Sequence, residues 1–212
     1  MSDTPARSKP VPRKAAYHHG DLATALVDAG EAELREKGIE GFSLRGVAKR
    51  AGVSHAAPAH HFGDTNGLLT ALAARGFERF LARQDDFKRA AAPDPRAQLS
   101  AAGVGYVNFA LENPALFRLM FSSDRPEFET AVLDQAATQG FMTLVDGVSQ
   151  ITGTDPWADS AAMRQVSATW AIAHGVADLL VSGRLKIVGG MDPQTRNAEI
   201  AAMIDPVIPA AR

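Results

Sequence analysis

Apolar positions along this 212-residue chain recur every three or four residues, the period of helices with one buried face. The first such stretch runs from Asp21 to Lys37, where Leu22, Ala25, Leu26, Ala29 and Ala32 share a face and Gly38 closes the helix. Ser43 then stands as an N-cap ahead of Leu44, Val47, Ala48 and Ala51. The run Ala51-Gly52-Val53-Ser54 offers a glycine for a tight turn and a second cap, so a third helix is expected from His55 to about Phe62. On that placement Pro58 is the fourth helical residue, where its missing N–H loses a backbone bond. Gly63 ends this helix, and Asp64 or Thr65 caps a long one from Asn66 to about Arg89 with Leu68, Leu69, Leu72, Phe77, Phe80 and Leu81 inward.

The stretch AAPDPRAQ separates this head from a larger body. There the pattern predicts helices at Pro95–Glu112, Pro114–Phe121, Pro126–Ile151, Pro156–Ser182 and Pro193–Val207, with Asn113 and Asp155 as caps and RLKIV near Arg184 to Val188 as loop. No period-2 pattern competes and no repeat is present, so the fold class is all-α. A three-helix head containing a helix-turn-helix is joined by the long fourth helix to a helical bundle, with about nine helices in all.

One helix is apolar on two sides. Met163, Val166, Trp170, Ala173, Ala177 and Leu180 form an a/d seam, and Ile172, Gly175, Val176 and Leu179 form a second face. Two apolar faces need two covers. The expected second cover is another copy of the chain, through Met163, Val166, Ala173, Ala177 and Leu180, joined by Ile200, Met203, Ile204 and Val207 of the last helix.

Composition changes the picture mainly by what it excludes. There is no cysteine, which fits a reducing cytoplasm, and neither a secretion signal nor an 18-residue apolar run appears, so no membrane partner is expected. No phosphate-type glycine loop, nucleophile elbow or carboxylate pair is present, so neither an enzyme nor a cofactor is expected. The histidines are mostly adjacent pairs that do not converge on one ion, and no metal is expected.

The net charge of −2 conceals a segregation. Residues 1–15 carry Arg7, Lys9, Arg13 and Lys14 against Asp3, and Pro5, Pro10 and Pro12 make residues 1–16 a flexible basic arm. Residues 43–62 carry Arg45, Lys49 and Arg50 with no acid. An acid-free helix-turn-helix suits a phosphate backbone, where any carboxylate would oppose counterion release. Ser43, Arg45 and Ser54 are therefore expected to hold phosphates, with His55, Ala57 and His60 at base edges and His61 beside them. Arg13 and Lys14 would reach an adjacent minor groove or phosphates. The expected division is arm 1–16, DNA-binding head 17–65, and ligand-binding and dimerisation body 66–212. Within the body, Phe109, Phe117, Met120, Phe121, Phe141, Met142 and Trp170 are candidate walls of a pocket for an apolar or amphiphilic ligand, with His174 as its polar handle.

The run from Asp28 to Leu69, DAGEAELREKGIEGFSLRGVAKRAGVSHAAPAHHFGDTNGLL, resembles the DNA-binding head of the TetR-type bacterial transcription regulators. The resemblance rests on the spacing of Ala29, Gly38, Ser43, Val47, Ala48, the AGVS turn, His61 and Phe62. Trp170 to Gly175, WAIAHG, has the W-x-x-x-H-G form of one C-terminal subgroup, and NPALFRLMF at Asn113 to Phe121 looks like its sixth-helix region. The resemblance implies a homodimer with two heads on a palindromic operator, and an effector pocket whose occupancy moves the heads apart. It implies more readily a repressor than an activator. Ala59 stands where the family usually has tyrosine, and Thr65 where it often has lysine, so two phosphate contacts pass to His60, His61 and the arm. The alternative reading is a helical ligand-binding or adaptor module whose weakened head no longer holds an operator.

Overall fold

The first helix, α1 (His19–Lys37), lies against α2 (Leu44–Ala51) in a computed structural model that describes residues 19–210. Arg13, Lys14 and the rest of the expected arm lie outside the described residues, as does His18. Ser43 Oγ accepts from the Gly46 N–H at 3.1 Å, which caps α2. Gly52 ends it in the left-handed conformation at φ 67°, where a side chain would be strained.

The third helix, α3 (Ala57–Phe62), starts two residues later than the sequence suggests. Ser54 supplies its main-chain carbonyl to the Ala57 N–H at 3.0 Å and makes no side-chain cap. Pro58 therefore sits in the first turn, where its absent N–H would have had no helical partner, and it is buried as a helix starter. Gly63, at φ 77°, closes α3, and the Asp64 carboxylate caps α4 (Thr65–Ala90) by accepting from the Gly67 N–H at 2.9 Å.

Two expected helices, α5 (Pro95–Glu112) and α6 (Pro114–Phe121), lie where their prolines place them. The Asn113 amide, however, donates back to the Phe109 carbonyl at 3.1 Å and so finishes α5 instead of capping α6. Pro126 and Pro156 do not open helices. α7 (Ala131–Thr152) begins five residues after Pro126, because the intervening chain bonds to α4: the Glu127 N–H donates to Thr70 Oγ1 at 2.9 Å. α8 (Ser160–Val181) is capped by Asp159, while Asp155 accepts from the Trp157 N–H in a separate turn. The expected loop at RLKIV contains a four-residue helix, α9 (Lys186–Gly189), and α10 (Pro193–Ile204) gives way to a 3₁₀ turn over Asp205–Val207.

One core runs through the chain, from Leu26, Val47 and Leu68 in the head through Phe77 and Phe80 of α4 to Val107, Val166 and Ile204. α4 and α5 approach closely at Gly105, where an added Cβ would lie 2.8 Å from Gln84 Cα and 3.0 Å from the Arg83 carbonyl oxygen. α8 packs on α5 and α7, and α10 on α5 and α8. Six of the nine residues expected between copies are covered by their own chain. Val166, Ala173, Ala177, Leu180, Ile200 and Ile204 are buried within one chain, and Met163, Met203 and Val207 are half-buried. Apart from Trp170, the seam is the face that α8 turns to its own bundle. The large apolar side chains that α8 leaves in solvent are Trp170, Ile172 and Leu179, at 43%, 37% and 38% exposure.

Candidate functional site

The α2–α3 surface is held by charges that point away from it. Arg50 donates from Nε to Glu33 Oε2 at 2.6 Å and from its guanidinium to Glu36, so it ties α2 to α1. Lys37, and then Arg50, hold the Glu36 carboxyl down at about 2. Glu33 is buried, and its carboxylate occupies the space a side chain at position 46 would need, so a larger residue there would push it from its place beside Arg50.

With Arg50 engaged, Arg45 and Lys49 are the exposed cations of this surface, and among the described residues neither has a carboxylate partner. Ser54, His55 and His60 are exposed, and Ser43, Ala57 and His61 are half-buried. His61 lies between His60 and Phe62, edge-to-face with the first and tilted against the second, with ring centroids 5.8 and 6.2 Å away. At Gly67, the first turn of α4 meets the Phe62 carbonyl so closely that any side chain would displace it.

A cavity of about 490 Å³ lies among α4, α5, α6, α7, α8 and residues 123–130. Of the expected walls, Met120, Phe121, Phe141, Trp170 and His174 line it. Phe109, Phe117 and Met142 do not: Phe109 packs behind Phe80 at 5.6 Å, Phe117 lies against the His174 ring at 5.3 Å, and Met142 packs on the core. Phe77 and Phe80, read from the sequence only as apolar helix positions, face the cavity, and Tyr106, Gln84, Phe128 and Thr169 join them. The signal that could have found Gln84 is its place one turn beyond Phe80 on an otherwise apolar stripe. No Asp, Glu, Lys or Arg is among the lining residues.

Two polar features stand in this wall. The Tyr106 hydroxyl lies 2.7 Å from His174 Nδ1, joining α5 to α8. Burial pushes the Tyr106 phenol well above its ordinary range and the His174 imidazole below its own, with Asp178 opposing the latter. At neutral pH the phenol therefore shares this hydrogen bond with a neutral ring, and the tautomer of His174 sets which of the two donates. The second feature is Gln84, 8% exposed, whose Oε1 has no hydrogen-bond partner.

The cavity is tied to the head through residues 123–130. Ser123 and Phe128 line it, while Arg125 Nε donates to Asn66 Oδ1 at 2.8 Å and the Glu127 N–H donates to Thr70 Oγ1, both in the first turns of α4. α6, which carries Met120 and Phe121, also packs on α1.

Comparison with known proteins accords with this geometry. A family model described as tetracyclin repressor-like, C-terminal domain, matches residues 99–206, and one described as bacterial regulatory proteins, tetR family, matches residues 26–72. The HTH-type transcriptional regulator BetI of Paraburkholderia phytofirmans is 26% identical over 189 residues, covering 75% of this chain and 93% of that protein. BetI of Burkholderia mallei is 43% identical over 77 residues, 36% of this chain and 39% of that protein. A protein with unknown function from Rhodococcus sp. RHA1 superposes with a TM-score of 0.73 at 30% identity, covering 92% of this chain and 99% of its own. A TetR family transcription regulator from Marinobacter aquaeolei shares the fold at a TM-score of 0.64 and 19% identity, with 90% and 96% of the two chains covered.

Proposed function

We propose, since this chain belongs to the tetR family of bacterial regulatory proteins, that it represses transcription as a homodimer on a palindromic operator and is released by an apolar or amphiphilic small molecule. It is a DNA-binding transcriptional regulator and not an enzyme. The observation that carries the finer reading is the exposed, acid-free surface of α2 and α3 with Arg45 and Lys49 unpaired. The likeness of its body to a tetracyclin repressor supports the sign of regulation.

In this reading residues 17–65 form the head, residues 66–212 form the ligand-binding and dimerisation body, and the protein works in the cytoplasm. Ser43 and Arg45 hold phosphates, His55 and His60 meet base edges, and Arg13 and Lys14 of the arm add minor-groove or phosphate contacts. The Ser43 oxygen accepts from the Gly46 N–H, which leaves its own O–H for a phosphate. A second copy covers Ile172, Gly175 and Leu179, which fall on one face of α8 at a spacing of three and four.

Release follows from differential affinity. An effector shifts the protein only if it binds the DNA-incompetent arrangement better. Its contacts with Phe121, Ser123 and Phe128 reach α4 through Arg125 and Glu127, and α4 reaches α3 through the Gly67–Phe62 contact. A footprint on the DNA upstream of the gene tests this reading. Two protected half-sites about one helical turn apart are expected; a single unsymmetrical site, or protection without sequence preference, would overturn it.

A further inference from the structure

The cavity joins aromatic walls to one buried carboxamide without a partner, and this combination restricts its occupant. Resting on the reading of the cavity as the effector site, we propose that the effector is an uncharged, ring-bearing molecule with a hydroxyl or amide N–H that Gln84 Oε1 accepts.

Charge is decided by what is missing from the wall. No Asp, Glu, Lys or Arg lines the cavity among the described residues, burial keeps the His174 ring neutral near pH 7, and a buried ion without a counter-charge is disfavoured far more than a neutral group. Aromatic faces can attract a cation. The nearest carboxylate on α8, however, is Asp178, which is exposed and outside the lining. Shape follows from the rings. Phe80 stands edge-on to Phe77 and to Tyr106, with centroids 6.3 and 5.0 Å apart and planes at 90° and 89°, an arrangement suited to receiving a further ring edge-to-face or offset.

The donor is decided by the hydrogen bonds already made. Tyr106 is engaged with His174, Thr143 donates to the Gln139 carbonyl at 3.0 Å, and Ser123 Oγ accepts from the Arg125 N–H at 3.2 Å. Gln84 differs from these. The close crossing of α4 and α5 at Gly105 buries it, yet no group among the described residues uses its oxygen. A buried acceptor left open disfavours the empty state, and a ligand that donates to it removes that cost.

The test uses the full chain and four probes on one skeleton: 4-butylphenol, butylbenzene, 4-butylbenzoate and (4-butylphenyl)trimethylammonium, titrated calorimetrically at pH 7.5. The phenol is expected to bind about tenfold tighter than the hydrocarbon, a difference of about 1.4 kcal/mol, and tighter than either ion. Gln84→Leu should abolish that advantage while leaving butylbenzene affinity within about twofold, which also shows that the variant is folded; Gln84→Met serves as a second deletion of the carboxamide. Tightest binding by an ion, a phenol advantage that survives both substitutions, or no binding by any probe would overturn the inference. If the phenol binds with this Gln84 dependence but leaves duplex affinity unchanged, the ligand class stands and the effector reading fails. If only a charged ligand releases the duplex, the effector reading stands and the ligand class fails.

Discussion

Arg125 donates from Nε to Asn66 Oδ1 at 2.8 Å, so the segment that carries Phe128 into the cavity is fastened to the first turn of α4, a few residues from the end of α3. Coupling between two sites requires such a physical connection, biased by both. Allosteric coupling is typically about 1–3 kcal/mol, and a bond from a charged donor is about half to all of that. Arg125→Ala is therefore expected to leave 4-butylphenol binding within about twofold, and to reduce the ligand-induced change in duplex affinity at least about threefold. Anisotropy titrations with and without ligand measure this; an unchanged response in the variant would show that the signal does not pass through this segment.

Gly105 permits a close approach of α4 to α5. Gly105→Ala places a Cβ 2.8 Å from Gln84 Cα, and main chain cannot yield as a side-chain tip can. Overpacking costs about 1–3 kcal/mol, offset by about 1 kcal/mol of helix propensity. Because the clash is with main chain, the upper half of the overpacking range applies, and a net loss of stability of up to about 2 kcal/mol is expected from urea melts. A variant as stable as the parent would mean that the helices separate freely, and that Gln84 is not held in place by them.

Local chemistry made much of this legible. Caps and turns such as Ser43 and Gly52, and the prolines that open α5 and α6, act within a few residues, so they can be read along the chain. Pro126 and Pro156 carry the same local signal, but no helix starts at either. The chain after Pro126 bonds to Thr70, 57 residues away, and Pro156 lies in a turn that the Asp155 carboxylate closes at the Trp157 N–H. The α8 seam shows a different limit. Periodicity identifies a stripe that must be covered, but not that α5 and α10 of the same chain cover it. Phe109 and Phe117, equally, are aromatic and near the cavity but lie behind its wall, a distinction that needs three dimensions.

His174 should give stability a pH dependence. Burial lowers its folded-state pKa from the ordinary 6.5, so the unfolded chain takes up this proton more readily. Stability is thus full above about pH 6.5 and falls as pH drops through 6.5 toward the folded value. Tyr106 of α5 and Phe117 and Phe121 of α6 face the ring, and Asp178, one turn on, opposes the effect. His174→Gln keeps an acceptor for Tyr106 without the titration. It should lose less stability than the parent between pH 7 and pH 5.5 in urea melts; equal losses would remove His174 as the cause.

Leu179 is 38% exposed beside Ile172 on the α8 face assigned to a second copy. Leu179→Glu sets like charges against each other across a two-fold contact, and is expected to convert a dimer to a monomer by light scattering, with a melting temperature that falls and no longer depends on protein concentration. A dimer that survives it is built on another face.

The most direct measurement is the salt dependence of binding to a duplex from the region upstream of the gene, for the parent and for Arg45→Ala. The account predicts tight binding to that duplex over an unrelated one, weakening steeply with salt, and a slope flatter by about 1 for Arg45→Ala on every duplex. Equal affinity for both duplexes, or an unaltered slope in the variant, would contradict it.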